Sequence, residues 1–121
     1  MKLNTRQIGN YGESAAARIL ENKGCKILKR NFCIRGGELD IIAQDKDGRY
    51  IFAEVKTRKN TDYGMACEYV TPRKQKRIIK TAVAFTGRLD VDMRFDVIEV
   101  YYKNVNNKIV ITDINHIENA F

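Results

Sequence analysis

The chain is poor in the residue types that mark disordered, disulfide-rich and zinc-binding proteins. Its 121 residues include one proline, one histidine, three cysteines and no tryptophan. Hydrophobic residues make up 44% and charged residues 31%, which is the balance of a folded chain and not of a disordered one. The length suits a single domain over residues 1–121, built around one core.

Cysteine and histidine are too few and too scattered for a structural zinc site. Cys25, Cys33 and Cys67 form no Cys-x-x-Cys pair, and His116 is distant from all three in the sequence. Structural zinc needs about four such ligands at close spacing. An odd number of dispersed cysteines also argues against a disulfide scaffold. We therefore expect three ordinary thiols, buried or half-buried.

Long apolar runs are also missing. No segment approaches the roughly 18 apolar residues that a membrane-spanning helix needs. Residues 1–7 lack the apolar stretch of a secretory signal. We expect a soluble cytoplasmic protein without a membrane partner.

Positive charge is concentrated in two short segments. Lys and Arg number 22 against 15 Asp and Glu, a net charge of +7. Residues 73–80 hold five cations and no acid, and residues 56–59 hold three more, so subtracting these eight from +7 leaves −1 for the other residues. Such a local surplus favours a polyanion partner at one face, although a solvated basic surface would have the same composition.

Hydrophobic periodicity predicts elements in the order α-β-β-β-α-β-β. A helix is expected over residues 5–23 and ends before Gly24; a second helix opens at Pro72 and ends before Gly87. The five predicted strands cover residues 25–34, 38–43, 50–57, 93–102 and 108–114. This order predicts an α/β fold with a central mixed sheet of about five strands flanked by helices.

The second and third strands form a predicted hairpin that gathers four charged residues. Gly48 suits a left-handed position at the end of a three-residue loop. In the resulting register Asp40 faces Glu54, and Glu38 faces Lys56. Because side chains alternate with period two, these four side chains are expected on one face of the sheet.

The opposed pair Asp40 and Glu54 predicts a divalent-metal site. Directly opposed carboxylates repel each other, and Mg²⁺ typically takes one or two carboxylates, with water and substrate phosphate as its other ligands. Lys56 is placed to orient or deprotonate the attacking water or to neutralise the phosphate. If the first helix packs on the end of the hairpin, Glu13 is expected to add a ligand or to bind a second metal. Ordinary ion pairing is the alternative, but the flanking strands are strongly apolar, and charge there is costly without a role.

The second helix begins with cations although a helix N-terminus is already electropositive. Cations at that end cost stability, which a bound phosphate would offset. The predicted nucleic-acid surface therefore includes Arg58, Arg73, Lys74, Lys76 and Arg77.

The acidic motif has a family resemblance. Gly37-Glu38-Leu39-Asp40 followed by Glu54-Val55-Lys56 resembles the Asp…Glu-x-Lys signature of the PD-(D/E)XK, restriction-endonuclease-like nucleases, with Leu39 where the motif has proline. More closely, the chain resembles the bacterial YraN-type family, which is related to archaeal Holliday junction resolvases. The matching segments are residues 12–13, 15–16, 31–32, 37–43, 52–58, 70–75 and 94–97.

The resemblance implies a restriction-endonuclease-like fold with Asp40, Glu54 and Lys56 at its catalytic core and Glu13 as the helix-borne acid. It implies that Lys74 or Gln75 lies near the scissile phosphate and, since junction resolvases make two matched cuts, that the protein is a homodimer. The predicted function is a DNA nuclease that depends on Mg²⁺ or Mn²⁺. A nucleic-acid-binding module without catalysis and an interaction subunit of a repair assembly are the alternatives.

Overall fold

The helices and strands follow one another in the predicted order. The structure, a computed structural model, describes residues 3–63 and 70–121, and in these residues two α-helices and five strands form. They are α1 (Thr5–Asn22), β1 (Lys26–Ile34), β2 (Gly37–Gln44), β3 (Tyr50–Lys59), α2 (Pro72–Thr86), β4 (Met93–Val105) and β5 (Lys108–Ile117). A 3₁₀ turn, Asn60–Asp62, follows β3. The predicted α/β class is confirmed.

The five strands form one mixed sheet in the order β1-β2-β3-β4-β5. Strands β3 and β4 are parallel from Tyr50↔Met93 to Lys59↔Tyr102, and the other neighbouring strands are antiparallel. Parallel neighbours need a long crossover connection, and the segment that contains α2 supplies it. The mixed sheet that the element order predicts is therefore confirmed.

Both helices begin at side-chain caps. Asn4 accepts a hydrogen bond from the Gln7 backbone N–H, and the Gln7 side chain accepts one from the Asn4 N–H, which completes a capping box. At the second helix, Thr71 Oγ1 accepts from the Lys74 N–H at 3.2 Å, and Pro72 occupies the first helical position. These caps fix the two helix starts, which lie next to the candidate site.

Alternation along β3 divides the core into two layers. Ala53 packs with Leu20 of α1 on one face of the sheet, whereas Phe52 packs with Ile78 of α2 on the other. The sheet therefore lies between the two helices. Burial of apolar side chains on both faces is the main stabilising contribution to this arrangement.

Two glycines let the helices approach the sheet closely. A Cβ at Gly12 of α1 would overlap Thr57 Oγ1 and lie 3.0 Å from the Thr57 Cβ. A Cβ at Gly37, the first residue of β2, would overlap Thr81 Oγ1 of α2 and lie 3.3 Å from the Arg77 carbonyl oxygen. One contact lies beside the predicted site residue Glu13 and the other beside Glu38 of the predicted hairpin, so the two contacts set how near each helix stands to the site.

The turn between β2 and β3 has the predicted geometry. The Asp45 N–H donates to the Arg49 carbonyl at 3.0 Å, and Gly48 has φ 85°. Pairing continues from Gln44↔Tyr50 to Ile41↔Ala53. The predicted register is therefore confirmed over these four pairs.

Two other expectations concern the thiols and the membrane. Cys25 is half-buried and Cys33 is exposed, so the latter differs from the expected burial. Cys67 lies outside the described residues. In the described ranges, neither helix is long and apolar enough to span a lipid bilayer.

Candidate metal and nucleic-acid site

The candidate site lies where β2 and β3 separate. Beyond Ile41↔Ala53, β2 pairs only with β1, and β3 pairs only with β4. The Asp40 carboxylate reaches across the opening, and its Oδ2 accepts a hydrogen bond from the Val55 N–H at 2.8 Å. The separation gives the two acids Asp40 and Glu54 room that a continued ladder would not.

The prediction that Asp40 directly faces Glu54 was wrong, as was the placement of all four charged side chains on one face. Leu39 packs on the α2 side and Ile41 on the α1 side, although strict alternation would place both on the same side. Asn31 of β1, which lies opposite this point, has φ 53°, a left-handed conformation that departs from extended strand geometry.

Two cavities flank the opening and share Glu38. The larger, about 790 Å³, lies on the α2 side and includes Glu54 and Lys74 in its lining. The smaller, about 320 Å³, lies on the α1 side and includes Glu13 and Asp40. The predicted acids are therefore distributed over two adjoining cavities around the end of the β2–β3 ladder.

Glu13 lacks an ideal partner for its carboxylate. The close contact of Gly12 with β3 holds this part of α1 against the sheet, and the Glu13 side chain is 15% exposed. Arg30 Nη2 is 3.6 Å from Glu13 Oε1, which is longer than a hydrogen bond, and this buried oxygen has no hydrogen-bond partner within the described ranges. A buried carboxylate oxygen without a hydrogen bond lowers the stability of the folded protein, and a bound cation would supply the missing partner.

Asp40 is the electrostatically most perturbed acid of the site. Burial and the negative charge of Glu54 raise the pKa of Asp40 from 3.8 to about 7, and the charges of Glu13 and Glu38 act in the same direction. The Val55 N–H opposes the shift because it hydrogen-bonds the carboxylate. A nearby cation would favour the charged form of this acid and so lower its pKa again.

Glu54 is held by a cation from α2. Lys74 Nζ is 2.8 Å from Glu54 Oε1, and the Glu54 side chain is 12% exposed. Hydrogen bonding to Glu54, together with a hydrogen bond between the side chains of Lys74 and Lys56, raises the pKa of Lys74 although burial acts to lower it. The structure therefore brings Glu54, Lys56 and Lys74 together, as a carboxylate with two amines.

The donor set fits a hydrated divalent cation, not a closed all-protein site. In residues 3–63 and 70–121, no three acidic, histidine or cysteine side chains lie close enough to form a metal centre. Mg²⁺ needs only one or two carboxylates when water and substrate supply its other ligands. The unsatisfied oxygen of Glu13 and the raised pKa of Asp40 are both states that a cation would relieve.

The predicted nucleic-acid residues divide into exposed cations and structurally engaged groups. Arg73 and Arg77 are exposed and line the larger cavity with Lys74, whereas Lys76 is exposed outside it. Gln75 is engaged, because its side-chain amide donates to the Val70 carbonyl at 2.9 Å. Arg58 lies apart from the α2 cations on β3, where it contacts another acid.

That acid is Glu99, which was not among the predicted site residues. Glu99 of β4 is 2% exposed, lies 3.8 Å from Arg58 Nε and accepts a hydrogen bond from Asn115 Nδ2 at 3.0 Å. It is the register partner of Lys56 on the parallel strand. An acid in the apolar run of residues 97–102 is the same signal that identified Asp40 and Glu54, so the sequence contained the clue.

A second buried acid, Asp96, belongs to a separate network. Burial acts to raise the pKa of Asp96, but hydrogen bonds from His116 and Arg94 and from the Asn119 N–H lower it overall. His116 Nδ1 is in turn 2.8 Å from Lys23 Nζ. Because its hydrogen bonds join β4 and β5 to Lys23, the residue that follows α1, we assign this cluster a structural role.

Comparison with known proteins gives the family. The model of the uncharacterised protein family UPF0102 matches residues 12–100. The chain belongs to this family. It is 43% identical over 119 residues to the UPF0102 protein of Syntrophomonas wolfei, covering 96% of this chain and 98% of the relative. It is 44% identical over 120 residues to the UPF0102 protein CA_C1763 of Clostridium acetobutylicum, covering 96% and 94%.

One solved structure is similar at a lower level. It is "The structure of Pyrococcus Furiosus SfsA in complex with Ca2+", with a TM-score of 0.48 and 18% sequence identity. The match covers 93% of this chain and 64% of that chain, so the UPF0102 chain spans less than two-thirds of that protein.

Proposed function

We propose that this UPF0102 protein is a divalent-metal-dependent nuclease that hydrolyses phosphodiester bonds in DNA, with branched and junction DNA as the first substrates to test. The observation that carries the proposal is the grouping of partly buried acids where β2 and β3 separate: Asp40 Oδ2 accepts from the Val55 N–H at 2.8 Å, and burial together with the charge of Glu54 raises the pKa of Asp40 to about 7. Strongly perturbed groups in clefts are typical of functional sites. The resemblance to PD-(D/E)XK, restriction-endonuclease-like nucleases supports the same assignment.

Three acids are the proposed metal ligands, and because they do not lie close enough together in the described residues to form a ready metal centre, a bound cation would have to draw them together. Asp40 and Glu54 would hold Mg²⁺ or Mn²⁺ between the separated strands, with Glu13 of α1 as a further oxygen donor. When bound, the cation would polarise the phosphate and make a water molecule more acidic. The other ligand positions are left to water and substrate phosphate, as Mg²⁺ requires.

The remaining groups act on the substrate. Lys56 carries the catalytic amine, since it lies beside Glu54 and Lys74, where it orients the attacking water or neutralises the phosphate. Arg73 and Arg77 line the larger cavity and bind the DNA backbone, which positions the strand without reading its sequence. Binding of this kind leaves substrate choice to the shape of the DNA.

Two broader expectations depend on this activity. A four-way junction needs two matched cuts, so a junction substrate implies a homodimer with two sites. A DNA substrate also agrees with the expected cytoplasmic location.

A second candidate function is nucleic-acid binding without catalysis. One observation favours it: Lys74 pairs with Glu54 at 2.8 Å, so in this conformation an ammonium group, rather than a metal ion, neutralises that acid. Such a protein would bind DNA with a strong salt dependence and without regard to divalent ions.

A cleavage assay separates the two functions. Labelled junction, flap, single-stranded and duplex DNA are incubated with Mg²⁺, with Mn²⁺ and with a chelator. We expect metal-dependent cleavage of at least one substrate, and a loss of about 100-fold or more in Glu54→Gln and Lys56→Ala. Asp47→Asn, which changes an exposed acid in the hairpin loop, is the matched control and should cleave like the wild type.

Two results would count against the proposal. Equal cleavage by the wild type and Glu54→Gln would assign the activity elsewhere. Tight DNA binding without cleavage of any substrate in either metal would leave the binding function.

A further inference from the structure

The contact between Lys74 and Glu54 bears on how the site loads its metal, an inference that rests on the proposed function. Lys74 Nζ lies 2.8 Å from Glu54 Oε1, close enough for a charge-assisted hydrogen bond. The Glu54 side chain is only 12% exposed, so few water molecules compete with the ammonium for that oxygen. Lys74 therefore holds an oxygen that a cation would need.

Two lysine side chains, those of Lys56 and Lys74, meet at this point. The Lys74 amine is hydrogen-bonded to Lys56 as well as to Glu54, and its charge also interacts with Asp40. A divalent cation that approaches Glu54 would meet this positive charge at short range in a partly buried site, where screening is weak. Without substrate, the positive charge of Lys74 therefore disfavours binding of a divalent cation at Glu54.

Lys74 can leave Glu54 without any movement of the helix. Its backbone is fixed in the first turn of α2, where Thr71 caps the Lys74 N–H and Pro72 begins the helix. Its side chain is 40% exposed and has a flexible four-carbon stem. Rotation of that stem toward solvent would free the carboxylate.

The neighbourhood of Lys74 attracts phosphate. Lys74 lines the larger cavity with Arg73 and Arg77, both of which are exposed. A DNA backbone held by these arginines would offer Lys74 a phosphate oxygen in place of Glu54. The same phosphate would supply a missing ligand to the cation.

We propose that Lys74 couples metal binding to DNA binding: without DNA its ammonium occupies the Glu54 carboxylate and excludes the divalent cation, and a backbone phosphate draws it away so that the cation can enter. The metal site is then complete only on DNA. A protein built in this way avoids metal-dependent chemistry when no substrate is present.

Calorimetric titration with Mn²⁺ tests the coupling. The wild type, Lys74→Gln and Lys80→Gln are titrated alone and in the presence of a short phosphorothioate-linked DNA junction that resists cleavage. Lys80→Gln is the charge-matched control, because Lys80 is exposed further along α2. Glu54→Gln identifies the site and should abolish binding in every background.

We expect DNA to strengthen Mn²⁺ binding by the wild type and by Lys80→Gln by about tenfold or more. Lys74→Gln should bind Mn²⁺ about tenfold more tightly than the wild type in the absence of DNA, with little further gain when DNA is added. Because the Lys74 side chain is partly exposed, we expect Lys74→Gln to fold, and a circular dichroism melt checks this.

The outcomes separate this inference from the proposed function. Equal Mn²⁺ affinity in the wild type and Lys74→Gln, both sensitive to Glu54→Gln, would overturn the coupling and leave the metal site intact. An absence of Mn²⁺ binding in all proteins, with and without DNA, would overturn both. Tighter binding in Lys80→Gln as well as Lys74→Gln would reduce the effect to net charge and also overturn the coupling.

Discussion

Asp40 imposes an electrostatic cost on the folded protein. Its folded pKa of about 7 lies well above the ordinary value of 3.8, so between these values the folded state retains a proton that the unfolded state has lost. The stability contributed by this group therefore falls as the pH rises from about 4 to about 7 and stays low above that. Three neighbouring acids, Glu13, Glu38 and Glu54, contribute to this shift.

Replacing this carboxylate should therefore stabilise the protein. Asp40→Asn keeps an oxygen that can accept from the Val55 N–H but removes the charge. At pH 8 without divalent ions, we expect its free energy of unfolding to exceed that of the wild type by about 2–4 kcal/mol. Near pH 4 the difference should be close to zero, because the wild-type carboxyl is then protonated in the folded state.

Urea denaturation at the two pH values measures this difference. Asp47→Asn, in the exposed hairpin loop, is the control and should change stability by less than about 0.5 kcal/mol. A gain in Asp40→Asn that is the same at pH 4 and pH 8 would show that charge is not its cause.

Single residues also show what the sequence could and could not predict. Gly48 predicted the turn and the register because its conformational preference is local. The predicted face of Asp40 was wrong because the side-chain alternation breaks between Leu39 and Ile41, and no local residue pattern marks that break. The Glu54–Lys74 contact joins a strand to a helix start about 20 residues further along the chain, so it depends on how α2 packs.

At the scale of elements, the approach of α1 to the sheet is set by one glycine. Gly12 stands against Thr57 of β3 with no room for a Cβ, whereas a Cβ added at Gly9, one turn earlier on the same helix, would meet no atom of the described residues within 4 Å. Both positions are helical, so replacing glycine by alanine gains the same intrinsic helix propensity at each. The difference in stability between the two variants therefore measures the effect of the contact between α1 and the sheet.

Alanine substitutions at the two positions should have opposite signs. Gly9→Ala should stabilise the protein by about 0.5–1 kcal/mol, since alanine is the better helix former. Gly12→Ala should destabilise it by about 1–3 kcal/mol, because the added methyl group pushes α1 away from β3. Thermal or urea denaturation measures both.

A double substitution checks the cause at Gly12. Thr57→Ala removes the Oγ1 that the new methyl group would overlap, so part of the lost stability should return in the Gly12→Ala/Thr57→Ala protein. Fully additive losses would argue that the close contact is not the reason. Glu13 follows Gly12, so Gly12→Ala is also expected to weaken Mn²⁺ binding.

Element order was predictable because each helix and strand carries its own signals. Thr71-Pro72 and Gly87 mark the ends of α2, and both do so in the structure. The fraying of the β2–β3 ladder at Asp40 was not predictable, because it depends on each strand keeping its other neighbour. The candidate site is the place where this loss of pairing occurs.

At the scale of the whole molecule, the exposed arginines of α2 predict the salt dependence of DNA binding. Each neutralised phosphate releases counterions, so affinity falls with salt in proportion to the number of contacts. Arg73→Gln/Arg77→Gln should weaken binding to all DNA shapes and reduce the slope of log K against log salt by about 2. Fluorescence anisotropy at several salt concentrations measures the slope.

A charge-matched control guards against a simple effect of net charge. Arg88, just after α2, pairs with Asp90 at 2.8 Å and lies outside the two cavities that flank the strand opening. The Lys80→Gln/Arg88→Gln protein, which also loses two positive charges, should leave the slope unchanged. Equal slopes in the wild type and the Arg73→Gln/Arg77→Gln protein would place the DNA on another face.

We infer that the protein retains the costly carboxylate Asp40 for metal-dependent cleavage of DNA. The most direct test follows Asp40→Asn in two measurements on the same preparation, its stability at pH 8 and its cleavage of branched DNA in Mg²⁺ or Mn²⁺. We predict a variant that is more stable than the wild type and at least about 100-fold less active, so that unfolding cannot explain the loss. A stabilised Asp40→Asn protein that cleaves DNA as fast as the wild type would contradict the account.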